Sequence, residues 1–237
     1  MPPKTPEHSQ SDQCVGISRD NLERGDVMHL ARARDGENTA IISEADLLAS
    51  RRAFVADDHQ EDDIWVFGYG SLIWNPIVQH EETKMAMIYG YHRRFCMWTT
   101  IGRGSPDCPG LVLGLDKGGA TKGMIFRIKA DKAADELDIL WRREMMADSY
   151  KPVWVRAFTD KGPVKALTFA MRRDRPIFAP PMPLTQTADI IAKAVGFVGP
   201  CREYLENTNQ ALMSVGIYDR QMMKLATLVA QSAGDTN

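Results

Sequence analysis

The sequence predicts an α+β fold in which about six strands form a mixed sheet that can close into a small barrel, with helices flanking it. Runs rich in aromatic and β-branched residues alternate with Gly- and Pro-containing turns between residues 64 and 171, and helical patterns follow from residue 185. The chain has 237 residues, of which 44% are hydrophobic and 25% charged. This length and balance are typical of one globular domain, with or without a tail.

Residues 1–60 are predicted to form an N-terminal extension to a compact domain at 61–237. The first 25 residues are polar and have no periodicity, so we expect them to be disordered or loosely attached. A helix is predicted over 43–55, because Ser43 is a suitable N-cap with Asp46 three residues later.

Two tight turns are predicted within the strand-rich region. The tetrapeptide Asp-Lys-Gly-Gly at 116–119 is typical of a hairpin, and Asp-Lys-Gly-Pro at 160–163 predicts a second one. Gly90 lies inside a long aromatic and β-branched run, where it predicts a bulge or a bend. The predicted strands span 64–67, 85–98, 111–115, 124–128, 153–158 and 164–171.

A helix is predicted from Asp131 to Ala147, after the fourth strand, with Asp131 as its N-cap. Three further helices are predicted in the C-terminal part, the first of them capped by Thr185. These three helices span 185–195, 201–213 and 218–229.

Charge, cysteines and histidines argue against several functional classes. The 29 Lys and Arg residues are balanced by 31 Asp and Glu, so no basic excess points to nucleic acid. No apolar run approaches the roughly 20 residues that span a membrane, and the polar N-terminus is not expected to be a signal peptide. The four cysteines form no C-x-x-C pair, so reduced thiols in a cytoplasmic protein are expected. The five histidines lack ligand spacing, so no metal site is predicted.

A glycine-containing loop follows the first predicted strand and reads Gly68-Tyr69-Gly70-Ser71-Leu72. Two glycines one residue apart favour a tight loop whose backbone N–H groups can point at a ligand. Such a loop can bind anions or carbonyl oxygens without using a side chain. The alternative from this pattern alone is an ordinary β-turn between two elements.

Glu144 is a candidate general acid/base. On a helix it falls on the apolar stripe, three residues after Trp141 and four after Leu140, whereas Arg142 and Arg143 are expected to point elsewhere. A carboxylate among apolar residues is costly unless it is paired or used, and desolvation raises its pKa toward neutrality. The alternative is a structural salt bridge to an arginine of the sheet. The available arginines are Arg93, Arg94, Arg127 and Arg156.

The residues around the glycine-containing loop do not have the spacing of a serine hydrolase, dinucleotide-binding or phosphate-binding motif. A hydrolase nucleophile at Ser71 would need glycine where the chain has Ile73, and no histidine recommends itself as the partner of this serine. A dinucleotide fingerprint would need glycine where Trp74 stands, and the Lys-Ser or Lys-Thr of a phosphate loop is absent. A backbone cradle with one partly buried carboxylate suits a reaction in which the substrate attacks itself.

The stretch at 66–74, Val-Phe-Gly-Tyr-Gly-Ser-Leu-Ile-Trp, resembles the signature of the ChaC-type γ-glutamylcyclotransferases. Further matching motifs are Arg93-Arg94-Phe95, Pro109-Gly110-Leu111-Val112-Leu113, Trp141-Arg142-Arg143-Glu144-Met145, Ser149-Tyr150, Gly199-Pro200 and Glu203-Tyr204-Leu205. The resemblance covers roughly residues 64–215. It implies a small mixed β-barrel with flanking helices and a catalytic domain at 61–237. It also implies cyclisation of the γ-glutamyl group of glutathione, with release of 5-oxoproline and Cys-Gly.

By position, the resemblance implies roles for individual residues. Glu144 matches the family's essential acid/base, and Tyr204 matches a tyrosine near the γ-glutamyl group, although a core aromatic is the alternative for Tyr204. Arg93 and Arg94 lie in a matching segment, either as substrate contacts or as partners of a buried carboxylate. The substrate-binding loop matches Val66, Phe67, Gly68, Tyr69, Gly70, Ser71 and Leu72.

The implied partner is a small-molecule substrate, glutathione or a related γ-glutamyl peptide, with no cofactor, metal, nucleic acid or membrane. Two alternatives stay open. One is a cyclotransferase acting on other γ-glutamyl peptides or amines, and the other is a non-catalytic binding or regulatory module of the same fold.

Overall fold

Five strands of the computed structural model close into a barrel. They are β1 (Ile64–Gly68), β2 (Glu82–Thr99), β3 (Gly110–Ile128), β4 (Tyr150–Thr159) and β5 (Gly162–Met171). Neighbours in the barrel follow the order β1-β3-β2-β4-β5, and β1 pairs with β5 to complete the circle. That pair is parallel, with Trp65 opposite Ala166, whereas the other pairs are antiparallel. The predicted α+β fold with a mixed barrel is confirmed.

The structure describes residues 17–35, 41–55 and 62–234. The helices are α1 (Arg19–Glu23), α2 (Asp26–Asp35), α3 (Glu44–Phe54), α4 (Ala133–Glu144), α5 (Leu184–Lys193), α6 (Cys201–Ser214) and α7 (Arg220–Ser232). The minor elements are 3-10 turns at Ser71–Ile73 and Ala130–Lys132, and the strand pair β6 (Val195–Gly196) with β7 (Gly199–Pro200). Within these described ranges, no helix has both the length and the apolar character needed to cross a membrane.

The turn predicted at 116–119 is wrong, because β3 runs through it as one strand. Gly118 and Gly119 have φ angles of 98° and 70°, and Gly90 on the facing part of β2 has a φ of 84°. The β2–β3 register shifts there, so these glycines bend a long ladder instead of reversing the chain. Glycines at positive φ serve a turn and a bulge equally well, so the pattern could not separate the two. The bulge predicted at Gly90 and the turn predicted at 160–163 are confirmed.

Two predicted helix caps are also wrong. A 3-10 turn precedes α4, so Lys132 and not Asp131 is the N-cap, and the helix ends at Glu144. Helix α5 begins directly after Pro183, which places Thr185 inside the helix. In both cases, the presence of a residue that often caps helices did not give the position at which the helix begins.

The extension is helical in its described parts. The prediction that the first 25 residues lack regular structure is wrong at α1, where Leu22 is 2% exposed. Residues 1–16, to which the same prediction applies, lie outside the described residues. Helix α3 begins as predicted, because Ser43 Oγ accepts a hydrogen bond from the N–H of Asp46 at 3.2 Å. Helices α1 and α3 both pack against α4.

Two apolar clusters meet at β1. Val66 faces the cluster formed with α3 and α4, whereas Phe67 faces the one formed with α5, α6 and α7. This alternation is the period of a strand buried on both faces. β1 therefore ends between the two cores, and the loop that begins at Tyr69 starts from a well-packed position.

Gly123 in β3 allows the close approach of β1. A Cβ atom at this position would lie 2.3 Å from the carbonyl oxygen of Gly68 and 2.6 Å from Phe67 Cζ. We expect Gly123→Ala to lower the free energy of unfolding by about 1–3 kcal/mol, measured by urea denaturation, because one of the strands must move. Lys122→Ala, at the exposed neighbouring position, is the control and should cost less than about 0.5 kcal/mol. Equal effects of the two substitutions would contradict this account.

Candidate active site

A cleft of about 510 Å³ opens where β1 ends. The loop after β1, the C-terminal end of α4 and one face of α6 contribute to its wall. Of the residues predicted for the site, the cleft brings together Glu144, Tyr69, Gly70, Ser71, Leu72 and Tyr204.

Val66, Phe67 and Gly68 do not line this cleft. The side chains of Val66 and Phe67 are fully buried in the two cores, which follows from their positions in β1. Gly68 lies under the loop, where an added Cβ would be 3.0 Å from Leu72 Cβ and 3.1 Å from Phe126 Cε2. The matching stretch thus contains a supporting part, 66–68, and a part in the cleft wall, 69–72.

The loop offers unpaired backbone donors. The N–H of Ile73 donates to the carbonyl of Gly70 at 2.9 Å and closes the 3-10 turn. Within the described parts of the chain, the N–H groups of Gly70, Ser71 and Leu72 donate to no acceptor. Backbone donors near a protein interior are rarely left without a partner, so these three groups are suited to a carboxylate or carbonyl oxygen.

Arg93 supports the loop from the barrel. Its side chain is buried, and Nη1 donates to the carbonyl of Tyr69 at 2.8 Å. It also donates to the carbonyl of Lys122 and lies 3.2 Å from a carboxylate oxygen of Asp219. Burial lowers the pKa of Arg93 to about 10, an effect that the charge of Asp219 opposes. Arg93 therefore acts on the loop's backbone and is absent from the cleft wall.

Arg94 is the structural partner of a buried carboxylate. Its Nη2 donates to Asp116 Oδ2 at 2.8 Å, and Asp116 is 2% exposed. Arg173 donates to the other oxygen of Asp116 at 2.6 Å. Of the two roles left open for Arg94, the structure supports this one.

Glu144 ends α4 with its side chain 13% exposed in the cleft wall. Burial raises its pKa, and the charge of Arg143 opposes that shift. The nearest cation is thus on the same helix, with Arg143 Nε 3.2 Å from Glu144 Oε1. The alternative salt bridge to a sheet arginine is not formed. Arg127, for example, pairs with Asp63 and Glu82 instead.

Arg143 was not expected in the site, because its position on α4 points away from the apolar stripe. Its long side chain nevertheless reaches the cleft, where Nη2 donates to Ser71 Oγ at 2.8 Å and Nη1 donates to the carbonyl of Asn75. Arg143 therefore connects Glu144 to the loop after β1. Ser71 accepts a hydrogen bond from a cation here, which supports a role in the cradle and not as a nucleophile.

Three tyrosines line the same cleft as the carboxylate of Glu144. Burial raises the pKa of Tyr204 to about 12, and the nearby charge of Glu144 contributes. Burial and Glu144 likewise raise the pKa values of Tyr69 and Tyr150 well above their ordinary range. All three hydroxyls are thus neutral near pH 7. Sequence reasoning missed Tyr150, although it stands in the matching Ser-Tyr motif.

Tyr204 has both of the roles that the sequence left open. It packs edge-on against Phe95, with ring centroids 6.1 Å apart, and it is 9% exposed. Its hydroxyl also faces the loop, because a Cβ on Gly70 would lie 3.4 Å from it. The aromatic body belongs to the core, and the hydroxyl belongs to the cleft.

The N-terminal extension also contributes to the cleft wall; the sequence left open whether a helix from it lies over the active-site mouth or only packs on the barrel. Ile17, Val27 and Ala31 line it. The carbonyl of Ile17 accepts a hydrogen bond from Asn75 Nδ2 at 2.8 Å. Arg19 attaches this segment to α4, because its Nη1 lies 2.6 Å from Oε2 of the buried Glu136. The segment is therefore part of the candidate site.

Comparison with known proteins identifies the family of this chain. The family model for ChaC-like proteins matches residues 64–232. The chain belongs to the ChaC-like family. A glutathione-specific γ-glutamylcyclotransferase of Escherichia coli K12 is 35% identical to this ChaC-like protein over 204 residues, which are 86% of this chain and 87% of the relative. Glutathione-specific γ-glutamylcyclotransferase 1 of Homo sapiens is 31% identical over 157 residues, covering 64% and 71% of the two chains.

A solved structure shares the fold. It is a yeast γ-glutamylcyclotransferase specific to glutathione, with a TM-score of 0.66 and 23% identity. The match covers 75% of this ChaC-like protein and the whole of the yeast chain. At this identity, the likeness concerns the fold of the barrel and its helices.

We expect a ¹³C NMR titration to give Glu144 a pKa above the ordinary value of about 4.3 for glutamate, because burial disfavours its charged form. Arg143→Gln removes the nearest cation, so it should raise this pKa further. Arg142→Gln is the matched control, since Arg142 pairs with Glu44 at 2.7 Å and not with Glu144. An unchanged or lowered pKa in Arg143→Gln would contradict this electrostatic arrangement.

Proposed function

We propose that this protein is a glutathione-specific γ-glutamylcyclotransferase that releases 5-oxoproline and Cys-Gly. The observation that carries the proposal is a desolvated carboxylate, Glu144, in the same cleft as the unpaired donors of the loop after β1. The described residues lining this cleft include neither histidine nor cysteine. The arrangement therefore suits a substrate that carries its own nucleophile, and the names of the E. coli and human relatives support the same activity.

The first step is removal of a proton from the substrate's α-ammonium group. Glu144 is the base, and its raised pKa brings it closer to that of the ammonium group, which reduces the free-energy cost of the transfer. The charge of Arg143 opposes the rise in the pKa of Glu144 and so favours the ionised form that accepts a proton. The hydroxyls of Tyr69, Tyr150 and Tyr204 lie near Glu144 and are neutral, so they add no negative charge beside the base.

The freed amine attacks the γ-carbonyl carbon and closes a five-membered lactam. Negative charge develops on the carbonyl oxygen, and backbone N–H groups at 70–72 are suited to stabilise it or to hold the α-carboxylate. Holding the chain folded for ring closure can supply on the order of 7–11 kcal/mol at best. The bond to the cysteine nitrogen then breaks as Glu144 returns its proton to the departing amine. The second proton lost by the attacking nitrogen goes to the same amine, which leaves as an ammonium group, so the atoms and charges of the cyclisation balance.

A panel of three substrates tests the proposal. The purified protein is incubated with glutathione, γ-glutamyl-alanine and γ-glutamyl-lysine, and 5-oxoproline is quantified. We expect product from glutathione. Product from the other two but not from glutathione would indicate a cyclotransferase of different specificity, and product from none would indicate a non-catalytic module.

Glu144→Gln removes the base and keeps the shape of the side chain. We expect 5-oxoproline release from glutathione to fall by about 10²–10⁴-fold, measured as kcat/KM. The fold should persist, because the raised pKa of Glu144 means that its charged form opposes folding at neutral pH. Glu206→Gln, on the exposed face of α6, is the control for loss of a carboxylate. Turnover near the wild-type rate in Glu144→Gln would refute this mechanism.

Gly70→Ala and Gly68→Ala separate the cleft part of the loop from its support. A Cβ on Gly70 makes ordinary contacts, 3.4 Å from Leu113 Cδ1 and Tyr204 Oη, but it stands among the unpaired donors. We expect Gly70→Ala to lower kcat/KM by at least about tenfold with little change in Tm. Gly68→Ala should instead lower the free energy of unfolding by about 1–3 kcal/mol, because its Cβ would press on packed side chains. Thermal melts and initial rates distinguish the two effects. If Gly70→Ala lowered Tm and left kcat/KM unchanged, Gly70 would serve only the turn.

A further inference from the structure

The cleft carries two cationic side chains among the described residues, and the cyclisation proposed above uses one of them. Among the described residues, its charged side chains are those of Arg103, Arg143, Glu144 and Glu203. Arg143 belongs to the reacting end, since it contacts Glu144 and Ser71. Arg103 has a different set of neighbours, at the base of α6, and no step of the cyclisation uses it.

The guanidinium of Arg103 is fixed in place by the surrounding backbone. It is 8% exposed, and Nη1 donates to the carbonyl of Pro200 at 3.1 Å. The segment that carries it is fixed to the β6–β7 pair, because the carbonyl of Gly102 accepts a hydrogen bond from the N–H of Val198 at 2.9 Å. A Cβ on Gly199 would lie 3.0 Å from Arg103 Nη1, so the backbone of this pair packs directly on the guanidinium. The cation is therefore positioned before any ligand binds.

The present anionic partner of Arg103 is weakly held. Glu203 Oε2 lies 3.3 Å from Nη1, but the side chain of Glu203 is 47% exposed. An ion pair with so exposed a carboxylate contributes little, and Glu203 can turn into solvent. Arg103 Nε and Nη2 donate to no acceptor among the residues that the structure describes. Because Arg103 lines the cleft, these nitrogens are the donors left for a ligand within it.

We propose that Arg103 determines specificity by binding the C-terminal carboxylate of the Cys-Gly half of the substrate, an inference that rests on the proposed function. Glutathione has two carboxylates, one on the γ-glutamyl group that cyclises and one on the glycine that leaves. A planar guanidinium with two adjacent free donors matches a carboxylate in bidentate geometry. The same contact discriminates against γ-glutamyl amines, which carry no carboxylate in the leaving group.

The test compares glutathione with its C-terminal amide, γ-glutamyl-cysteinyl-glycinamide. The two substrates have the same reacting atoms, and the amide lacks only the charge that Arg103 reads. We expect wild-type kcat/KM for glutathione to exceed that for the amide by about 10–100-fold, the range of a charge-assisted hydrogen bond. Arg103→Gln should reduce this ratio to near one, mainly by lowering kcat/KM for glutathione. Arg156→Gln, an exposed arginine on β4 outside the cleft wall, should leave the ratio unchanged.

A merely structural Arg103 would give a different result. Arg103→Gln would then lower kcat/KM for both substrates equally and leave their ratio as in wild type, which would overturn the proposal. Equal wild-type rates on the two substrates would overturn it as well, while the proposed cyclotransferase activity would stand. Absence of product from both would instead refute the activity, and the inference with it.

Arg103→Lys provides a second test in case Arg103→Gln does not fold. It retains the charge but loses the bidentate contact, so we expect a preference for glutathione that is smaller than in wild type and greater than one. Thermal melts establish that each variant is folded at the assay temperature. A ratio unchanged in Arg103→Lys, or one that falls equally in Arg156→Gln, would count against the proposal.

Discussion

The contact between Arg143 and Glu144 is the interaction on which the candidate site depends. One guanidinium binds the carboxylate at the end of α4, the hydroxyl of Ser71 and the carbonyl of Asn75. A carboxylate that is largely removed from solvent is costly without a compensating charge. The same cation that makes Glu144 tolerable thus fixes its distance from the loop after β1. The acid/base group Glu144 and the backbone donors of the loop are therefore held in a fixed relative position, although Ser71 and Arg143 are 72 positions apart in the sequence.

The barrel supplies a second support to the same loop. Arg93, from β2, binds the carbonyl of Tyr69 and reaches Asp219 at the start of α7. The loop is therefore tied directly to α4 and β2, and through Arg93 to α7, which is how a short irregular segment can hold its donors in place. Such support from surrounding residues is what keeps a site within the tolerance that catalysis requires.

The local parts of the site could be predicted from the sequence. Glu144 and the glycine loop are visible because each breaks a regular pattern, one an apolar stripe and the other a strand. Arg143 was missed, since a helix-face argument gives the direction of a Cβ atom and not the reach of a long side chain. Val66 and Phe67 belong to the matching stretch, but the period of β1 buries them.

Long-range features of the fold had no comparable signal. The Asp-Lys-Gly-Gly sequence is compatible with a turn, and only the pairing of β3 with β2 along its length shows that the chain continues. The pairing of Arg19 with Glu136 likewise joins residues 117 positions apart. A surface arginine and a helix glutamate look ordinary in isolation, so no pattern marks them as partners.

The wall formed by Ile17, Val27 and Ala31 makes the site and the attachment of the N-terminal segment thermodynamically linked. Any ligand that touches this wall binds the attached state more tightly than the detached one, and by reciprocity the attached segment raises the affinity for that ligand. The family match begins only at residue 64, outside this segment. Replacement of the segment is therefore expected to alter affinity while the barrel's own residues stay unchanged, so part of the control over ligand binding lies N-terminal to the residues that match the family model.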